Sequence, residues 1–61
     1  MKAILEYTNE RDQIIGRVHE TDAGYSVSVF DIDSGDIFPL YYRFTTLAQA
    51  AVKAKHLANL N

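Results

Sequence analysis

Apolar and polar residues alternate through the first two thirds of the chain, then change period once. Ala3, Leu5 and Tyr7 stand against Lys2, Ile4, Glu6 and Thr8, the two-residue repeat of a half-buried strand. Asn9-Glu10-Arg11-Asp12 has no apolar member and reads as a turn. From Gln13 to Thr21, Ile14, Gly16 and Val18 share one face, with Ile15, Arg17, His19 and Thr21 on the other. A glycine in mid-strand marks either a bulge or the close approach of something packed above it. Thr21-Asp22-Ala23-Gly24 predicts a hairpin turn, with Gly24 in the positive-φ position. Tyr25, Val27 and Val29 alternate with Ser26 and Ser28 as far as Phe30, giving the third strand.

Asp31-Ile32-Asp33-Ser34-Gly35-Asp36 is the second hairpin tip, and Ile37 to Phe44 the fourth strand. Phe38, Leu40, Tyr42 and Phe44 oppose Ile37, Pro39, Tyr41 and Arg43. Proline cannot donate to a ladder, so Pro39 belongs at an edge or a bulge. Beyond Phe44 the period becomes helical. Thr46-Leu47-Ala48-Gln49 has capping-box spacing, and strong helix formers follow from Leu47 to about Leu60. Leu47, Ala50, Ala51, Ala54, Leu57 and Ala58 form one helical face. So much alanine lets a helix lie close to a sheet, with Gly16 beneath it. About fourteen helical residues, at ~1.5 Å each, match a seven-residue strand in length.

The expected fold is therefore α+β: an antiparallel four-stranded meander with one C-terminal helix on one face (ββββα), in a single domain spanning 1–61. One helix covers one sheet face only. If Leu5, Val18, Val27 and Leu40 meet it, the open face carries Ile4, Glu6, Ile15, Arg17, His19, Ser26, Ser28, Phe30, Ile37, Tyr41 and Arg43. Five of these, Ile4, Ile15, Phe30, Ile37 and Tyr41, are large and apolar or aromatic, and contiguous apolar patches mark interaction surfaces. A bulge at Gly16 or Pro39 would move part of this set to the core. Val52 and Leu60, on the outer side of the helix near His56, add a second, weaker surface.

Composition narrows what such a face can do. The chain has 61 residues, 48% hydrophobic and 23% charged, typical of a globular domain. A chain so short buries only about 60% of its unfolded surface and is thinly stable. With no cysteine it lacks disulfides, thiolate metal sites and thiol nucleophiles, and the expected location is the cytoplasm. No apolar run approaches a membrane span, and Glu6 interrupts the N-terminus too early for a signal peptide. Six Lys and Arg against eight Asp and Glu give a net charge of −2, which disfavours bulk attraction to nucleic acid or anionic lipid.

Candidate chemistry is sparse. The Asp31–Asp36 segment resembles a calcium loop, but Gly35 and Asp36 stand in reversed order and position twelve is Tyr42. Asp, Ser and Gly are also what a hairpin tip selects. His19 and His56 have no partner at ligand spacing, and His56 follows Lys53 and Lys55 where a helix C-terminus favours cations. Ser26, Ser28 and Ser34 lack a nucleophile elbow, and Gly16, Gly24 and Gly35 are isolated rather than a phosphate loop. The expectation is no enzyme, no cofactor and no metal.

Two surface functions are left. The first is an interaction module that forms a homodimer or binds a protein partner through the open sheet face or an edge strand. The candidate residues are Ile4, Ile15, Arg17, His19, Phe30, Ile37, Tyr41 and Arg43. The second is a single-stranded nucleic-acid binder that stacks bases on Phe30 and Tyr41 beside Arg17, His19 and Arg43, flanked by Lys2. Asp31, Asp33 and Asp36 oppose the second, and in the first the arginines pair with Glu6 and Glu20.

The runs Gly24-Tyr25-Ser26-Val27-Ser28-Val29-Phe30-Asp31 and Phe44-Thr45-Thr46-Leu47-Ala48-Gln49-Ala50 resemble small bacterial proteins of unknown function. In those a Gly-Tyr-x-Val-x-Val hairpin leads, through Phe-x-Thr-Leu-x-x-Ala, into a final helix. The resemblance covers about the last forty residues. It implies a ββα core and assigns no functional residue.

Overall fold

Four strands and a helix follow one another as β1 (Lys2–Asn9), β2 (Ile14–Thr21), β3 (Gly24–Asp31), β4 (Ile37–Phe44) and α1 (Leu47–Leu57). The computed structural model describes residues 2–60, and the side chains of all of these except Lys2, Leu40 and Tyr41. The strands form one antiparallel sheet in the order β1-β2-β3-β4, with α1 on one face, so the fold is the α+β meander that the alternation predicts.

Each connection has a local cause. The turn between β1 and β2 is closed by Gln13 at φ 56°, while Gln13 Nε2 donates to the Glu10 carbonyl at 2.7 Å. The Asp22-Ala23 turn delivers the chain to Gly24 at φ 139°, where a Cβ would stand 2.4 Å from the Phe44 carbonyl oxygen. At the second tip the Asp31 carboxylate accepts from the Asp33 amide at 3.0 Å, and the Gly35 amide donates to the Asp31 carbonyl at 2.8 Å. The acidic loop is thus organised by its own backbone, as a turn. Among the described residues no group of His, Asp and Glu is placed to hold a metal ion.

Bulges sit at both edges of the sheet and leave its centre regular. Gly16 pairs with Tyr7 and Val29 without a register shift, so its role is close approach and not a bulge. In β1 the register slips between Ala3 and Leu5. That slip sets Ala3 opposite His19, on the open face, and makes Ile4 the extra residue. In β4 the pairing jumps from Val27–Tyr42 to Ser28–Pro39, so Pro39 lies both on an edge strand and beside a bulge. The predicted positions of the Leu40 and Tyr41 side chains lie outside the described residues.

The helix start follows its capping signal only in part. Thr46 Oγ1 accepts from the Gln49 amide at 3.2 Å, but the Gln49 side chain takes Thr45 Oγ1 at 3.4 Å rather than returning to Thr46. At the other end α1 stops at Leu57, short of Leu60, because Asn59 turns left-handed at φ 61°. The Leu60 amide then donates to the Lys55 carbonyl at 2.8 Å and the Asn59 amide to His56 at 3.1 Å, the paired bonds of a Schellman close. That close also leaves Leu60 half-buried rather than on an outer helical surface.

The core is thin. Among the described residues Val18, Val27, Ala50, Ala54 and Ala58 are its buried apolar ones, and of these only the two valines are large. Leu5, Tyr7, Tyr25, Phe44 and Leu57 pack around them. Gly16 is what lets α1 settle so low, since a Cβ there would lie 2.3 Å from the Ala54 carbonyl oxygen. Asn9, itself buried, donates from Nδ2 to the Ala58 carbonyl at 2.7 Å, tying the first turn to the helix end.

Together these contacts fix a diagonal path. The helix leaves the end of β4 beside Gly24 and finishes over the end of β1 at Asn9. Two corners of the sheet stay uncovered. Phe38, expected beneath the helix, is 48% exposed at one of them, and Ile4 is exposed at the other. On the flanks, Lys53 Nζ lies 4.7 Å from the Tyr42 ring centre and Lys55 Nζ 5.2 Å from that of Tyr7. The helix cations therefore sit over aromatic rings of both edge strands.

Candidate interaction face

Register places the sequence-predicted residues in rows across the open sheet face. Thr8, Ile15, Phe30 and Ile37 make one row, Glu6, Arg17, Ser28 and Pro39 the next, and Ala3, His19, Ser26 and Arg43 the third. Six of the eight candidates, Ile15, Arg17, His19, Phe30, Ile37 and Arg43, are thereby brought onto one surface. Ile4 lies at its margin in the β1 bulge, and the Tyr41 side chain lies outside the described residues.

The apolar row is graded. Ile15 and Phe30 are half-buried on the central strands, whereas Ile37 is 59% exposed on the edge. Ile37 continues into Phe38 and Pro39, both exposed, and Ile32 is exposed in the adjoining hairpin tip. The start of β4 is thus an apolar corner reaching both sheet faces. Alternation alone concealed it, because Phe38 has the parity of a core residue and only the diagonal of α1 leaves it bare. Val52 on the outer side of the helix is also exposed.

Charge in the middle row is mostly satisfied internally. Arg17 Nε donates to Glu6 Oε2 at 2.8 Å, and the Arg17 guanidinium carbon sits 4.9 Å from the Phe30 ring centre. This is the Glu6 pairing expected from the sequence. Arg43 is exposed and makes no ion pair among the described residues, so the expected pairing with Glu20 is absent.

His19 and Ser28 form the polar centre. His19 Nε2 and Ser28 Oγ are 2.7 Å apart, while Nδ1 is occluded and has no hydrogen-bond partner among the described residues. Burial, reinforced by the Arg17 charge, holds His19 below the usual imidazole value, so the ring is neutral near pH 7. In the tautomer with Nε2 protonated the ring donates to Ser28, and Nδ1 is left as an acceptor rather than as a buried N–H. Ser28, itself buried, then has its own hydroxyl hydrogen left for another acceptor.

Between these rows and the β4 edge lies a cavity of about 270 Å³, lined by Arg17, His19, Ser26, Val27, Ser28, Ile37 and Pro39. Its polar groups come from β2 and β3, and its apolar rim is Ile37 and Pro39 of β4. Pro39 signalled an edge or a bulge in β4, but no motif signalled a cavity beside it.

Comparison with protein-family models, with curated proteins and with solved structures finds no match for this chain. Among the described residues no helix is long and apolar enough to cross a membrane.

Proposed function

We propose that this protein is a small cytoplasmic interaction module that self-associates through its open sheet face, centred on the apolar corner at Ile37. The carrying observation is the imbalance between core and surface: among the described residues two valines are the only large side chains fully buried, while Ile37, Phe38 and Ile32 are all exposed at or next to the start of β4. Burying that corner against a second copy would add apolar area that one chain cannot supply for itself. Packing by faces is favoured over strand addition, because a bulge at each edge, and Pro39 on β4, interrupt the rows of backbone donors that an added strand needs. The surface carries both Glu6 and Arg43, so a two-fold arrangement can set unlike charges together.

The alternative of a base-stacking platform is less well supported. The Arg17 guanidinium already occupies the Phe30 ring, and the same arginine is engaged by Glu6. Three aspartates at the adjoining tip would repel phosphates. The test is a half-labelled NMR sample, in which contacts between copies are read selectively. Intermolecular contacts at Ile37, Ile15 and Phe30 are expected. Contacts confined to Val52 on the helix, or binding of mixed oligonucleotides at ~50 mM salt, where phosphate attraction is strong, would overturn the reading.

A further inference from the structure

We infer that the cavity between Ser28 and Pro39 is a binding site for a small monocarboxylic acid with a single-ring or short branched apolar body. Two donors stand next to each other there. Arg17 and Ser28 are cross-strand partners, and both line the cavity. Arg17 spends Nε on Glu6, and its terminal nitrogens make no hydrogen bond among the described residues. Those two nitrogens are the pair that binds a carboxylate in a fork. With His19 Nε2, 2.7 Å away, as the donor, Ser28 has its hydroxyl hydrogen left for the ligand. The neutral histidine adds no charge of its own.

The rest of the cavity selects the body of the ligand. Ile37 and Pro39 form an apolar rim opposite the donors. A volume of about 270 Å³ is slightly below the ~300 Å³ at which pockets for drug-sized ligands begin. It comfortably exceeds the ~150 Å³ that holds a benzene ring. One aromatic ring or a branched chain of a few carbons fits, and a nucleotide does not. A guanidinium that already shares its charge with Glu6 can take one further carboxylate and not a phosphate dianion.

The cavity shares Ile37 with the proposed association face, so the titration is run at concentrations where the chain is monomeric by mass; binding is scored by ligand titration and association by mass, so either can fail alone. The experiment is a ¹H–¹⁵N correlation titration of the intact chain with benzoate, and in parallel with benzamide, its neutral counterpart. Benzoate is expected to give saturable shifts at Arg17, Ser28 and Ile37 with a millimolar dissociation constant, and benzamide none. Ser28→Ala, checked for a dispersed spectrum, should weaken benzoate about tenfold, as expected for the loss of a hydrogen bond to a charged group. Equal shifts with both compounds, no saturation, or shifts elsewhere would overturn the assignment. An acetylated dipeptide with a free terminal carboxylate, if bound more tightly than benzoate, would assign the site to a protein chain end and overturn it too.

Discussion

Asn9 Nδ2 lies 2.7 Å from the Ala58 carbonyl oxygen, a buried hydrogen bond between residues 49 positions apart. The same side chain receives the Asp12 amide on its Oδ1 at 3.1 Å, and Asn59 Nδ2 reaches Asp12 Oδ2 at 3.2 Å. One asparagine therefore shapes the first turn and holds the end of the helix.

Asn9→Ala should lower the free energy of unfolding by about 1–3 kcal/mol, the cost of leaving a buried carbonyl without its donor. Asn9→Asp should be at least as damaging, since it sets a carboxylate against the Ala58 carbonyl and near Asp12. Urea denaturation of the three proteins measures this. A midpoint unchanged in Asn9→Ala would show that the clasp contributes nothing.

Gly16→Ala tests how the layers fit. The added carbon would meet the Ala54 carbonyl oxygen at 2.3 Å, so α1 must lift or β2 must bend, at about 1–3 kcal/mol. In a domain this small that is a large share of the total stability. Thermal unfolding should show a clear drop, whereas Gly35→Ala, in open space but at φ 76°, should cost less.

Acid should act in two separate windows. His19 titrates lower in the folded protein than in the unfolded chain, so the folded state binds fewer protons there. Its contribution is fully present above the unfolded value of 6.5 and is lost as pH falls from there through the folded value. Asp12, held low first by Arg11 and then by Asn59, contributes above its unfolded value of 3.8 and fades below that. The urea midpoint should fall between about pH 7.5 and about pH 5, which spans imidazole titration. His19→Gln should abolish that upper step and leave the lower one. A midpoint equally pH-dependent in His19→Gln would assign the upper step to another group.

Much of this was legible in the residues, for reasons that differ by element. All four strands were readable because one sheet face is buried, which forces two-residue alternation. Gly16 and the alanine face of α1 pointed to each other because close packing demands small residues on both sides. Thr46 announced the helix start through its side chain. The helix end was hidden, because it depends on Asn59 adopting a left-handed conformation that asparagine permits but does not require. The diagonal of α1 was hidden as well, since Asn9 finds Ala58 only after folding, and with it went the exposure of Phe38. Six of the eight candidate face residues fell on one surface because the central strands are regular and parity survives the β4 bulge, whereas the β1 bulge moved Ala3 to the open face and Ile4 to its margin. The cavity did not show, because it depends on how the β4 edge stands at the bulge beyond Pro39.

Sedimentation equilibrium on the wild-type chain and on Ile37→Lys, across micromolar concentrations, bears most directly on self-association through the open face. Ile37 is 59% exposed, so the substitution should change the stability of one chain by no more than about 0.5 kcal/mol. The wild type should approach twice the 6.9 kDa chain mass, and Ile37→Lys should remain near the single-chain mass at the same concentrations. A wild type that stays monomeric throughout, or a dimer indifferent to lysine at position 37, would contradict it.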